Sequence, residues 1–201
     1  MEHGKIVILN GPPRSGKSSV AEVIQNTFDG VWINFGVDNY MKMIPQQFHP
    51  GIGLRPGGER PDLEPLIEQM YLAMYESIAV HSRAGLNVVA DVGHHDFYSE
   101  PLGILPKCAQ ILAGHDVLFV GVRCPIDVVM ERRVATWKVG YEEGGVIPLP
   151  VVRWQKSVHV PGIYDLEIDT SENTPEEIAV MINMRLFAVK SKCAFTRLAE
   201  R

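Results

Sequence analysis

The sequence predicts an α/β protein: a three-layer sandwich with helices on both faces of a parallel five-stranded sheet. Three observations carry that expectation. Short apolar runs alternate with segments of helical periodicity along the chain. The first run, "KIVILN", leads directly into "GPPRSGKSS" and then into a helical pattern, the strand–loop–helix context that a phosphate-binding loop requires. The 201 residues are 46% hydrophobic and 21% charged, a balance that suits one globular domain with a substantial core.

Taken in order, Ile6, Val7, Ile8 and Leu9 form a buried-type strand. Gly11-x-x-x-x-Gly16-Lys17-Ser18 then fits the phosphate-loop spacing in full. The cofactor-binding stretch is Gly11, Pro12, Pro13, Arg14, Ser15, Gly16, Lys17, Ser18 and Ser19. Its glycines let backbone N–H groups close around oxyanions. Lys17 reaches the outer phosphates and the Ser18 hydroxyl ligates Mg²⁺. A helix over 17–28, with Val20, Ala21, Val23 and Ile24 on its apolar face, adds its positive N-terminal end. A nucleoside triphosphate is the expected ligand.

"VWINFG" (31–36) reads as the second strand, and "NYMKMI" (39–44) as a short helix stopped by Pro45. Residues 46–61 are rich in glycine and proline and read as loop. Asp62 stands as the cap of a long helix through Leu66, Met70, Ala73, Met74 and Ile78 to near Gly85. "LNVVAD" (86–91), "DVLFVGV" (116–122) and "YDLEID" (164–169) are three more strands, and helices fill 99–113, 125–136, 150–159 and 175–190. The last opens on Thr174-Pro175-Glu176-Glu177, a cap, a proline and two acids. With no linker, repeat or low-complexity tract, residues 1–201 are expected as one domain. It carries a glycine-bearing lid around 132–150 and a basic tail over 186–201, where Lys190, Lys192, Arg197 and Arg201 follow Arg185.

The formal net charge of −5 argues against nucleic acid as the main partner. No apolar run is long enough to span a bilayer, and a strand beginning almost at Met1 leaves no room for a secretory leader. Cys108, Cys124 and Cys193 lie far apart, with neither zinc spacing nor a disulfide framework. A reducing cytoplasm is the expected setting, and self-association stays open.

Ligands of such sheets bind outside the carboxyl ends of the strands, where Asp38, Asp91 and Arg123 fall. Asp91 suits a metal-binding carboxylate, with a turn or helix cap as the alternative. Asp38 suits the base that deprotonates an attacking hydroxyl, or else the N-cap of helix 39–44. Arg132 and Arg133 precede the lid, placed either to neutralise a transferring phosphoryl group or to pair with Asp127 or Glu131 on an exposed helix. His94-His95-Asp96 invites a metal reading set against contacts to substrate, and His159 reads as structural. Tyr40, Met41, Met43, Phe48, Phe97 and Tyr98 line an acceptor pocket or belong to the core.

Finally, "ILNGPPRSGKSS", "FGVDNYMKMIP", "VVADVG", "FVGVRCP" and "QKSVH" followed by "YDLEIDTS" together resemble the chloramphenicol phosphotransferase family, in register to about residue 185. The resemblance implies a phosphate-loop kinase that uses ATP and Mg²⁺ to phosphorylate the hydroxyl of a small-molecule alcohol. It places the catalytic base on Asp38, the phosphate-loop lysine on Lys17, the metal-binding serine on Ser18 and a lid arginine on Arg132. The family's lid commonly runs R-E-x-x-R-G-D-R, whereas "RRVATWKVG" here has Thr136 and Val139 at the second and third arginines. Arg133 and Lys138 are the candidate replacements. The departures at 46–61 and "VGHHDFYSE" lie where an acceptor would bind, so an acceptor other than chloramphenicol is expected. A kinase of a larger acceptor (a nucleic-acid end or a nucleotide sugar) and a non-catalytic nucleotide switch are the alternatives.

Overall fold

A computed structural model describes residues 2–188 and 193–201. The sheet comprises β1 (Ile6–Asn10), β2 (Trp32–Asn34), β3 (Asn87–Val92), β4 (Val117–Arg123) and β5 (Leu166–Asp169), in the order β2-β3-β1-β4-β5 with every pairing parallel. The five-stranded parallel sheet expected from the sequence is therefore present. Every residue of β1 is buried, because a central parallel strand is covered on both faces. Its side chains alternate accordingly: Ile6 and Ile8 join one apolar cluster, Val7 and Leu9 the other.

The first cluster is closed by α3 (Glu64–Arg83), α4 (Ile104–Ile111) and α8 (Ala194–Ala199), through residues such as Tyr71, Met74, Ile104 and Phe195. The second is closed by α1 (Lys17–Thr27) and α7 (Pro175–Phe187), through Val20, Ile24, Ile178 and Ile182. A smaller cluster of Cys124, Val129, Met130 and Val151 joins α5 (Ile126–Trp137) to α6 (Leu149–Ser157). The chain lays β2 and β3 on one side of β1, then β4 and β5 on the other. The crevice where the winding reverses opens at the carboxyl end of β1, above the phosphate loop.

Several boundaries differ from expectation for local reasons. Asp62 does not cap α3; it ion-pairs with Arg60 at 2.7 Å, and the helix begins at Glu64. The fourth helix begins at Ile104 rather than 99. Pro101 intervenes, Gly103 turns left-handed (φ 61°), and the Asp96 carboxylate accepts the Leu102 and Gly103 N–H groups (2.8 and 2.9 Å). The short α2 spans Val37–Met41, starting two residues early from an extended Gly36. Arg123 turns away from the crevice and pairs with Glu167 at 2.6 Å. The helix α8 was missed because its apolar pattern is a single turn, with Ala194, Phe195 and Leu198 buried. In the basic tail, Arg197 donates to the Tyr164 carbonyl (3.1 Å), while Lys190 and Lys192 lie outside the described residues. Thr174 does cap α7: its hydroxyl accepts from Glu177 N (3.3 Å), and the Glu177 carboxylate accepts from Thr174 N (2.8 Å). Among the described residues, no helix is long and apolar enough to cross a membrane.

Candidate active site

The phosphate loop joins β1 to α1, and its shape is enforced by packing. A Cβ on Gly11 would lie 2.4 Å from the Val122 carbonyl oxygen, so no side chain fits there. Arg14 (φ 66°) and Gly16 (φ 89°) both take the left-handed conformation, which turns successive N–H groups inward as an anion nest. Lys17 Nζ arches back over the loop and donates to the Pro12 carbonyl at 2.7 Å. Burial pushes its pKa down to about 8, against the opposing pull of Asp91 and Asp38.

Asp91 lies beside Leu9 in the β1–β3 register, and its Oδ2 accepts from the Ser18 hydroxyl at 2.7 Å. That bond joins two groups 73 positions apart in the chain into one all-oxygen donor set, at the mouth of a phosphate nest. Magnesium takes oxygen donors of this kind alongside phosphate, so the residues present fit that ion. Gly36 makes room for the carboxylate, since a Cβ there would fall 1.6 Å from Asp91 Oδ1.

Asp38 occupies the first turn of α2, and it is Gly36 that stands at the N-cap, with no side-chain cap bond. The Asp38 carboxylate is exposed and makes no hydrogen bond or ion pair to another described residue. It faces a cavity of about 620 Å³ that also takes in Lys17, Ser18 and Asp91. Part of the cavity wall is apolar, with Val37, Met41, Ile52, Tyr71, Val92 and Trp154 among its lining residues. Thr136, Trp137, Thr170, Asn173, Pro175 and Ile178 also line it. Of the six side chains considered for the acceptor pocket, only Met41 lines it. Tyr98 is buried in the core and Tyr40 packs against it, while Met43, Phe48 and Phe97 face outward.

Arg132 pairs with neither Asp127 nor Glu131. Its Nη1 donates to Thr170 Oγ1 (2.9 Å) and its Nη2 to the Thr170 carbonyl (2.7 Å), with a longer bond from Nη1 to the Arg14 carbonyl (3.4 Å). Thr170 in turn donates to the Ser15 carbonyl at 2.7 Å. Arg132 and Thr170 thus buttress the phosphate loop from outside. Thr170 was not singled out from the sequence, and only its place directly after the fifth strand could have flagged it. Arg133 lies over the Trp137 ring (5.2 Å), which Arg14 covers more closely (3.9 Å). Lys138 turns back to the Ala135 carbonyl at the end of α5 (2.9 Å).

The paired histidines diverge. His94 is buried, with Nε2 bonded to the Tyr75 hydroxyl (2.8 Å) and its backbone N–H given to Asn10 Oδ1 (2.8 Å). Burial drives its pKa down to about 3, so it is neutral. His95 Nε2 donates to the Leu54 carbonyl (2.9 Å) while Nδ1 accepts from Phe97 N (3.2 Å). Both rings are thereby committed to holding the 92–98 loop against the sheet and the 46–61 segment. Asn10 completes the clip, donating to the Val158 carbonyl (2.8 Å) and the Tyr164 hydroxyl (2.9 Å). The same hydroxyl meets His159 Nδ1 at 2.8 Å, which gives His159 a structural place.

Comparison with known proteins agrees with this geometry. The model of the family described as chloramphenicol phosphotransferase-like protein matches residues 4–187. A Mycobacterium tuberculosis (strain H37Rv) protein provisionally named an O-phosphotransferase is 23% identical over 219 residues, covering 100% of this chain and 90% of its own. Among solved structures, the M. tuberculosis APS kinase in complex with AMPPNP and APS superposes with a TM-score of 0.62 at 17% identity, over 94% of this chain and 100% of that one. Shikimate kinase from Acinetobacter baumannii, in complex with shikimate, gives 0.58 at 11% identity over 91% and 93%. Both are similar to this chain in fold.

Proposed function

The chain belongs to the chloramphenicol phosphotransferase-like family, and from that premise we propose that it transfers the γ-phosphoryl group of ATP to the hydroxyl of a small molecule. The observation that supports this most directly is the cavity itself. It holds the Ser18–Asp91 pair, Lys17 and an unpaired Asp38 carboxylate on one rim. A phosphate nest explains nucleotide affinity; the free carboxylate beside an apolar wall adds a place for an alcohol.

In this reading the triphosphate lies on residues 11–18, with its base end toward Thr170, Asn173 and Pro175. Ser18 and Asp91 would hold Mg²⁺, which would supply charge neutralisation at the phosphates. The alcohol lies against Val37, Met41, Ile52 and Trp154, its hydroxyl directed at Asp38. Asp38 takes the hydroxyl proton as the acceptor oxygen bonds to the γ-phosphorus. The bond to the bridging oxygen breaks, and ADP leaves with that electron pair. Lys17 stabilises the charge on the transferring group, and Arg132 holds the loop in shape through Thr170. Residues 132–150 serve as the lid, whose closure excludes water that would otherwise compete with the alcohol.

The test is ADP release from ATP·Mg²⁺ against a panel of small alcohols, chloramphenicol included. Wild type is expected to show turnover that depends on an added alcohol. Asp38→Asn lowers that turnover by ~10²–10⁴-fold, the usual worth of a general base, while nucleotide binding persists. Turnover that survives the substitution removes Asp38 as the base. Tight nucleotide binding with silence across the panel favours a switch module or a larger acceptor.

A further inference from the structure

Among the cations around the cavity, Arg132 has its forked donors already committed to Thr170 and to the Arg14 carbonyl. Lys138 points back along its own helix. Thr136 and Val139 carry no charge. Arg133 does not line the cavity, and the remaining arginine that does belongs to the loop itself. Arg14 lines the cavity alongside Gly16, Lys17 and Asp38, and its guanidinium makes no hydrogen bond to any described residue. What holds it is aromatic: the guanidinium carbon lies 3.9 Å from the centre of the Trp137 ring.

We propose that Arg14 is a catalytic residue, the arginine that binds the γ-phosphoryl oxygens, and that Trp137 is the residue that positions it. The proposal rests on the reading of the site as a nucleotide-dependent phosphotransferase and deepens it. Two residues of α5 grip Arg14 at its two ends. Arg132 reaches the Arg14 carbonyl and supports a left-handed backbone (φ 66°) that a non-glycine residue adopts only under constraint. Trp137, one turn and a half further along the same helix, carries the guanidinium on its face. Nε is buried without a partner, so the donors left to offer are those on the two Nη atoms, and a planar fork matches phosphate oxygens in a way an ammonium does not. Asp38 exerts an attractive field on Arg14 and on Lys17, so proposed base and both cations share one charge cluster. A loop arginine also accounts for how the chain manages with the shortened set of lid arginines noted in its sequence. The charge arises from the phosphate loop, and the lid contributes an aromatic clamp.

The discriminating measurement needs no acceptor. Affinities for ADP and for a non-hydrolysable ATP analogue, both with Mg²⁺, are measured by calorimetry for wild type, Arg14→Asn, Arg14→Lys, Trp137→Phe and Trp137→Leu. Asparagine is chosen because it tolerates the left-handed backbone. A cation aimed at the γ-phosphate makes wild type prefer the analogue. In Arg14→Asn that preference falls ~10-fold or more, as expected for losing a charge-assisted hydrogen bond, with ADP affinity much less affected. Lysine restores part of it. Trp137→Phe retains the preference and Trp137→Leu loses much of it, which a merely structural tryptophan would not do. Equal loss of ADP and analogue affinity in Arg14→Asn, or an unchanged preference, overturns the proposal and leaves the kinase reading standing. Failure of wild type to bind either nucleotide overturns the kinase reading, and this assignment with it.

Discussion

At the residue scale, the reactive groups owe their properties to what surrounds them. Lys17 carries a pKa of about 8 because its ammonium is desolvated by the loop it serves. Phosphate is bound by the charged form. Nucleotide affinity is therefore full below pH 8 and declines as pH rises through it. Titrations of ATP binding on either side of that pH check this, and Lys17→Met abolishes the pH dependence along with most of the affinity. Asp38 and Asp91 were legible in the sequence because one follows the second strand and the other lies at the carboxyl end of the third, at the edge where ligands collect. Their different surroundings were not. Asp91 is tied to Ser18 at 2.7 Å while Asp38 is unpaired, and only the folded chain brings residues 18 and 91 together. The histidine pair is a different case. It looks like a metal motif, yet neighbours on an extended segment face opposite ways, and each ring finds its own partner, Tyr75 for one and Leu54 for the other.

At the element scale, helix ends decide how firmly the site is framed. The helix α7 begins with a full capping box and places Pro175 and Ile178 in the cavity wall. Thr174→Ala removes one half of that box and is expected to cost about 1 kcal/mol of stability, read as a lower denaturant midpoint at unchanged slope. This cap was legible because all four of its residues are contiguous. The start of α4 was not, because Asp96 fixes the preceding loop from six and seven residues away. The helix α5 has the larger functional share. It buttresses the phosphate loop through Arg132 and then presents Trp137 to Arg14, before Lys138 (φ 58°) ends it with a left-handed turn into the lid.

At the scale of the whole molecule, burial of neutral histidines links the fold to pH. His94 has a pKa near 3 where an unfolded histidine has 6.5, and His159 is lowered to about 4. The unfolded chain thus binds protons that the native chain refuses as pH falls below 6.5, so stability is lost progressively from there toward pH 3. Unfolding midpoints measured across that range check the sign. His94→Gln, which keeps a partner for Tyr75, is expected to flatten the slope, and an unchanged slope would show that groups other than His94 govern the acid transition. What the sequence by itself determined is the part that depends on local order. The strand–loop–helix of the phosphate site, the alternation that makes a parallel sheet, and the two acids after the second and third strands are each written within a few adjacent residues. Tertiary structure alone decided which side chains meet across the sheet edge: Thr170 under the phosphate loop, Trp154 and Tyr71 in one cavity with Asp38, and Trp137 on Arg14. The reason is physical. Periodicity and turn chemistry act between neighbours in the chain, whereas these contacts join elements up to 155 residues apart, brought together by burial of a shared core that no short stretch of sequence encodes.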